Sequence, residues 1–359
     1  MNRKLKRILS TAMAVSILAS SGAIATFAAE VPTDKGIAIS EENFPDEYFR
    51  EFLLNGSYYV WDENNVCTEI VYDANKDGYL SDSELKNVKH LLIQMTPIRD
   101  LTGIEYFTSL VEIGCQHSAV EKVNLENNKE LVYLSATKAN IQGGLDLSDH
   151  KELFSVMLGH NSNLTSVNTS GCEKLSLLDV SLSSLSDIDI SENPELSALF
   201  IELTNITTVD TSKTPKLDTF IAYNTPLTSL DFSNNPALRS LDVSGTKLNG
   251  LDVSTNAALE SLVTYNTPLA FLNIGNNNNL IETKIGNSTV SLKVSEESFD
   301  ITDAFKGIDP DKVTIVSGAV INGTIISSYS YDTPIVYTYD CGTDANGPVT
   351  LTVTLNLTK

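Results

Sequence analysis

The sequence predicts an α+β chain built around a repeat solenoid, and three observations predict it. Leu196, Leu217, Leu238 and Leu259 are spaced by 21 residues and open the same phrase each time. Going backwards, Leu175, Leu153, Leu131 and Leu110 open further copies at intervals of 21 or 22; Val88 opens a divergent first copy and Leu280 a truncated last one, giving nine full repeats and one partial. Second, apolar residues recur at positions 1, 4, 6, 11, 14 and 16, which in the Leu217 copy are Leu217, Phe220, Ala222, Leu227, Leu230 and Phe232. Positions 4 and 6 alternate with outward residues, the period of a strand. Third, copies close on Ser, Asn, Asp and Pro, which fix φ or bond to nearby backbone. One copy cannot bury its apolar side alone, whereas stacked copies share a continuous core. The solenoid is expected over 88–289.

The first 29 residues read as a secretory signal peptide. Met1–Arg7 is cationic, Ile8–Phe27 carries no charge, and Ala25–Ala29 offers small residues for cleavage. No second apolar run of spanning length follows, so a secreted chain, cell-surface associated but not membrane-inserted after cleavage, is expected. The chain is expected to be a monomer. Hydrophobic residues make up 42% and charged residues 19% of the 359, which supports a real core and excludes a disordered chain. With 46 acidic against 24 basic residues the net charge is -22. Nucleic acid and anionic membranes are polyanions and are excluded as partners; a basic partner or calcium fits. Cys67, Cys115, Cys172 and Cys341 form no CxxC pair, so zinc is unsupported, while both disulfides and free thiols stay open.

Residues 30–87 read as an N-terminal cap. Asn43-Phe44-Pro45-Asp46 suggests a helix start with Pro in the first turn, followed by an apolar face of Phe49, Phe52 and Leu53. Tyr59, Trp61, Val66 and Ile70 suggest a small hairpin. At the far end, residues 290–359 alternate apolar and polar or β-branched residues at Val290–Val294, Val313–Val316, Ile335–Tyr339 and Val349–Val353. That pattern predicts a C-terminal β-sandwich, immunoglobulin-like, which closes the core or serves as a spacer or second binding module.

One motif carries metal chemistry. The stretch 73–84 matches a 12-residue EF-hand loop at every ligand position. Asp73, Asn75 and Asp77 supply side-chain oxygens, Gly78 the sharp turn, Tyr79 its carbonyl, Ser81 a water, and Glu84 both carboxylate oxygens. Ser81 also caps an exit helix expected over Asp82–Lys89. The expected ion is Ca²⁺. A second such loop, as dockerins carry, is absent from the sequence.

The recurring L-x-x-L-x-[LVC]-x-x-[NTS]-x-L pattern resembles the leucine-rich repeat, and copies ending in LDLSxNP look like those of secreted, internalin-like proteins of Gram-positive bacteria. NFPDEYFREFLL and GIEYFTSL resemble the helical cap that precedes the repeats in such proteins. Position 9, Asn in the family, is here mostly a hydroxyl: Ser183, Thr204, Thr225, Thr246 and Thr267. A hydroxyl donates one bond to the turn where an amide donates two. Cys115 falls at position 6, where a small buried apolar residue is needed. The resemblance implies a non-enzymatic recognition protein that presents a concave sheet to a protein or glycan.

Positions 3, 5, 7 and 8 point away from the core onto that sheet. They give a candidate ligand face of Tyr133, Met157, Phe200, Ile221, Tyr223, Val263 and Tyr265, with Glu202 and Asp242 among them. Rigid aromatic and aliphatic area is what a binding surface needs, although strand propensity alone also favours these residues. His90, His117 and His160 fall at outward positions too far apart to share a metal. No HExxH, GxSxG or phosphate loop occurs, and no catalytic residue is assigned. Two alternatives remain: an enzyme or accessory module using a carboxylate pair on extracellular polysaccharide, or a passive cell-surface spacer.

Overall fold

The computed structural model describes residues 36–61 and 67–359. The expected signal peptide, 1–29, and Val66 lie outside the described residues. Ten short strands form one parallel sheet in chain order: His90–Leu92, Glu112–Gly114, Tyr133–Ser135, Ser155–Met157, Leu177–Asp179, Ala198–Phe200, Thr219–Ile221, Ser240–Asp242, Ser261–Val263 and Glu282–Lys284. We call these rungs one to ten. Each rung is positions 3 to 5 of its copy, so the divergent Val88 copy and the truncated Leu280 copy both supply one. Neighbouring rungs pair in strict register, with Ala198, Leu199 and Phe200 opposite Thr219, Phe220 and Ile221.

The register places the apolar positions inside. The opening residues from Val88 to Leu280 are fully buried, as are Leu199, Phe220 and Leu262 at position 4 and Ile201, Ala222 and Val243 at position 6. Cys115 fills position 6 of its copy as a buried apolar residue, and burial pushes its thiol up to about 12. All four cysteines are free thiols. Leu230 corrects the expected pattern: it is only half-buried, while Leu227 and Phe232 of the same copy are fully enclosed. The reason is local. Gly250–Asp252 and Phe271–Asn273 pair as a second, parallel sheet on the back of later copies and turn Leu251 and Leu272 inward, but no strand forms around Leu230.

Two polar ladders close the turns. At position 9, Ser183, Thr204, Thr225 and Thr246 each donate to the carbonyl three residues earlier at 2.6–2.8 Å. Asn161, the amide at that position, donates to both Ala136 and Leu158. A second ladder lies three residues before each opening residue. There Asn128, Asn193, Asn235 and Asn256 are buried, and each Nδ2 donates to two turn carbonyls; Asn235 reaches Thr211 O at 3.0 Å and Thr214 O at 2.8 Å. His150 holds the same place, with its two ring nitrogens 2.8 Å from Leu147 O and 2.9 Å from Leu125 O. These groups add hydrogen bonds to turn carbonyls in the buried interior, several of which also accept a backbone N–H, as Thr211 O does from Thr214 N.

At the N-terminal side, helix α1 spans Glu47–Asn55. Its cap is Asp46, whose side chain accepts from Tyr48 N and Phe49 N, so Pro45 lies before the helix and not in its first turn. An acidic Ncap satisfies orphan N–H groups, which proline there could not do. Phe49 and Leu53 face the core, and Phe44 sets its ring 5.7 Å from Phe49 and 6.4 Å from Phe107 of the first copy. A side chain at Gly103 (φ 103°) would lie 2.2 Å from the Phe44 ring, so this turn requires glycine. The expected hairpin forms from Ser57–Trp61 and Cys67–Val71, with Ile70 against the core as expected, but Tyr59 is 56% exposed and its neighbour Tyr58 is buried instead. The Tyr58 hydroxyl accepts from Lys89 N at 2.9 Å and donates to Asn87 O at 3.2 Å, so its polar tip is satisfied inside. Helix α2 spans Asp82–Asn87, two residues shorter than expected, with Ser81 and Glu84 forming a capping box.

Beyond rung ten the chain builds a mixed five-stranded sheet and a three-stranded antiparallel one. The long hairpin Ile335–Asp344 and Gly347–Thr358 dominates the first, with Ser288–Lys293 parallel on one side and Val313–Ser317 antiparallel on the other. This sheet continues onto the repeats: Gly275–Asn276 pairs parallel with Gly342–Thr343, the Tyr337 hydroxyl donates to Ala270 O at 2.8 Å, and Phe271 lies 6.1 Å from the Tyr339 ring. The Gly342 backbone approaches so closely that a Cβ would sit 2.1 Å from Gly275 O. Among the described residues no helix is long and apolar enough to cross a membrane.

Candidate functional site

The sheet's outer side is built from two rows. In the position-5 row, Met157, Asp179, Phe200, Ile221, Asp242 and Val263 stand side by side on rungs four to nine. Two residues further along, position 7 contributes Ser181, Glu202, Tyr223, Ser244 and Tyr265 from the fifth to ninth copies. Six of the seven expected face residues therefore share this stretch. Phe200, Ile221 and Tyr223 are half-buried against their neighbours, and Tyr265 is exposed beside Gly286. Tyr133 belongs to position 3 of rung three, where its ring packs edge-on against Phe154, and stands apart from the rest.

Position 8 adds residues beyond the seven expected on this face. The backbone there is left-handed in consecutive copies: His160, Leu182, Leu203 and Asn224 have φ between 50° and 63°. Asn suits that region, but a leucine is strained in it. Leu203 is nonetheless 42% exposed beside the Glu202 row. The signal was visible in principle, because a leucine replaces the Asn or Gly found at the same position of later copies.

Three carboxylates lie in this stretch, in different states. Asp179 accepts from Ser181 N at 3.0 Å and Ser181 Oγ at 2.6 Å. Asp242 accepts from Ser244 N at 2.9 Å and from the Ser244 hydroxyl. Glu202 has no serine partner: its Oε2 is buried without a hydrogen bond, and the residue's own backbone N–H is what favours its charged form. Burial, reinforced by the charges of Asp179 and Asp242, pushes the Glu202 carboxyl up to about 7. Burial and the same acidic field also raise Tyr223.

The loop 73–84 is formed around its own backbone. Asp73 is fully buried and accepts from Asp77 N at 3.2 Å and Gly78 N at 3.0 Å. Asn75 accepts from Asp77 N, and Asp77 from Tyr79 N at 2.9 Å. Glu84 closes the loop: Oε1 accepts from Ala74 N at 2.8 Å, and Oε2 from Ser81 N at 2.8 Å and Ser81 Oγ at 2.7 Å. Gly78 takes the left-handed turn at φ 80°. The donors are all hard oxygens in the order calcium requires, and the donor set fits that ion. Among the described residues no three His, Cys, Asp or Glu side chains form a group that could hold a metal; here the loop carboxylates accept backbone N–H groups.

The histidines do not assemble a site. His90 pairs with Glu112 at 2.8 Å, and His117 and His160 occupy separate left-handed turns. A groove of about 340 Å³ lies away from the two rows, lined by Asp100, Glu121, Lys122 and Gly144 among others. Its charges are engaged, since Lys122 pairs with Asp100 and Arg99 with Glu121.

No family model and no curated protein matches the chain. Among solved structures, the functional domain of InlJ from Listeria monocytogenes is 16% identical, with 91% of this chain and 100% of that one covered at a TM-score of 0.31. A leucine-rich-repeat protein of Leptospira interrogans is 20% identical over 58% of this chain and 61% of that one, with a TM-score of 0.49. The internalin inlF of Listeria monocytogenes is 16% identical over 71% and 86%, with a TM-score of 0.42. The repeat architecture of this chain stands on its own rung register and buried positions.

Proposed function

We propose that this chain is a secreted, internalin-like recognition protein that binds a protein ligand on the outer face of its rungs. One observation carries the reading: Phe200 and Ile221 are direct neighbours on adjacent rungs, at a position that faces away from the core. With Tyr223, Leu203 and Tyr265 they gather large, rigid, apolar area on that side, where position 7 of other copies carries polar or small residues such as Gln116, Thr137, Gly159 and Ser181. The C-terminal sheets, read as an immunoglobulin-like sandwich, close the last copy. The N-terminal segment closes the first, with Asp73, Asn75, Asp77, Tyr79, Ser81 and Glu84 holding a structural Ca²⁺. The test compares capture from cell-surface extracts by the mature chain and by a Phe200, Ile221 and Tyr223 to Ser variant. A partner taken by the parent and lost by the folded variant supports the reading; a partner retained by both moves the site elsewhere.

The enzymatic alternative has one observation in its favour. A carboxyl held near neutrality, as at Glu202, has the character of a general acid. Release of reducing sugar from surface polysaccharide, abolished by Glu202→Gln, is the result that would favour it.

A further inference from the structure

We propose that the rung face seats a cationic polypeptide segment, with one lysine or arginine head against Glu202 and its apolar neighbours on Phe200, Ile221 and Tyr223. The proposal rests on the recognition reading and names its partner.

Charge is the first support. Asp179 and Asp242 bracket Phe200 and Ile221 in one row, and Glu202 lies between them in the next. Elsewhere in the solenoid, cations pair with acids of neighbouring copies: Lys151 with Glu173, Lys174 with Glu152, Lys216 with Glu195, and Arg239 with Asp218 and Glu260. Asp179, Glu202 and Asp242 take part in no ion pair among the described residues. The nearest basic group in the row, Lys284 on rung ten, is paired with Glu282. The face is thus acidic and without an ion pair of its own, although Lys284 still feels the charge of Asp242, in a chain of net charge -22.

Hydrogen bonding is the second support. The two aspartates are each held by a serine, whereas no neighbouring side chain holds Glu202. A buried carboxylate oxygen without a donor, as at Glu202 Oε2, is costly in the free protein, and the residue's own backbone N–H offsets this only in part. An incoming ammonium or guanidinium brings the missing donors, so the bond it forms is one the free face lacks. Shape is the third. The methylene stem of a lysine or arginine is apolar and suits the Phe200 and Tyr223 rings, over which its head also gains a cation–π contact. An acidic segment would face three carboxylates, which supplies discrimination by repulsion.

A proton competes with this cation. The titratable groups facing Glu202 are Asp179, Asp242 and Tyr223; none is basic. With its carboxyl at about 7, Glu202 is mainly neutral at pH 6 and mainly charged at pH 8. Seating the cation therefore releases the proton, and binding weakens on acidification.

The test uses fluorescence anisotropy of two labelled peptides, alternating leucine–lysine and alternating leucine–glutamate, at physiological salt so that diffuse attraction is screened. The parent is expected to take the lysine peptide about tenfold tighter at pH 8 than at pH 6, and the glutamate peptide far more weakly. Glu202→Gln is expected to fold as the parent does and to hold the peptide at both pH values with the weaker affinity. Equal uptake of both peptides, uptake of neither, or an unchanged pH response in Glu202→Gln would overturn the proposal. The Phe200, Ile221 and Tyr223 to Ser variant separates the two readings. If it loses the peptide while Glu202→Gln behaves as the parent, the face stands and the cation seat falls; if it binds as the parent does, the face itself falls. Sedimentation of the parent alone showing a dimer that this variant lacks would make a second copy the occupant and overturn the proposal.

Discussion

The Asp46 carboxylate joins residues 53 apart in sequence: its Oδ2 accepts from Arg99 N at 2.8 Å while its Oδ1 caps α1. The same Oδ2 also accepts from Asp100 N. One side chain thus terminates a helix and fixes it to the loop after rung one. Asp46→Ala removes both functions and is expected to cost about 1–3 kcal/mol, more than a cap alone. Asp46→Asn, which keeps a capping oxygen, should cost less. Urea unfolding of the two variants checks the order, and an alanine variant as stable as the parent would show that the joint carries no stability.

Leu227 and Leu230 belong to one copy but differ in burial. Leu227→Ala leaves a cavity in a closed core and should cost about 2–5 kcal/mol. Leu230→Ala, at the half-open back, should cost about half as much or less. Thermal unfolding of the pair measures the difference; a reversed order would mean that the back of this copy is more closed than described.

Asn235 holds two carbonyls of the turn behind it and also accepts from the Thr211 hydroxyl. Asn235→Ala removes three buried hydrogen bonds, while Thr211 O and Thr214 O still accept backbone N–H groups and the Thr211 hydroxyl still donates to Asp231 O, and should cost about 1–3 kcal/mol. Amide hydrogen exchange should rise first in the turns of the sixth and seventh copies. Exchange unchanged there, at lowered global stability, would place the loss elsewhere.

Glu202 gives stability a pH dependence of definite sign. Its carboxyl is raised in the fold to about 7 from 4.5. The folded chain therefore holds that proton more tightly, and this contribution is full below about 4.5 and lost as pH rises through about 7. Glu202→Gln should flatten this part of the profile and raise stability at pH 8 by about 1 kcal/mol or less, given the solvent that still reaches the site. Melting curves from acid to alkaline pH test it, and a Gln variant that keeps the parent's profile would remove Glu202 as the cause.

Calcium should bind the loop weakly, at about 10⁻⁴–10⁻³ M as in extracellular modules, and should raise the melting temperature by mass action. Glu84→Ala removes two oxygens and the capping box together. Titration calorimetry with calcium should show heat in the parent and none in the variant. No heat in the parent would leave the loop as a turn held by its own N–H groups.

Much of the solenoid was legible because a period repeats the same physical demand. Positions 1, 4 and 6 are apolar in nearly every copy, the exceptions being Thr264 in the ninth and Thr283 in the last, and the buried residues of the first nine rungs follow that register. The loop 73–84 was legible because its chemistry is local. What escaped depends on partners distant in sequence. Tyr58 turns inward only because Asn87 and Lys89 meet its hydroxyl. Glu202 sits at an outward position by period, and its burial comes from neighbouring copies. The second polar ladder shows in the sequence as Asn at a constant offset before five of the opening residues, but His150, Cys172 and Thr214 interrupt it. The hairpin's junction with Gly275–Asn276 leaves no periodic trace at all.

That junction has an evolutionary meaning. Among the strands of the repeats the terminal hairpin pairs only with Gly275–Asn276, and each interior rung pairs only with its two neighbours. Neither end therefore senses how many copies separate them. Duplication or loss of a unit of 21 or 22 residues between the second and fourth rungs preserves both end junctions and leaves the Phe200–Ile221 pair intact. Copy number in this chain can drift by recombination without disturbing either terminus, while the surface itself changes by point substitution.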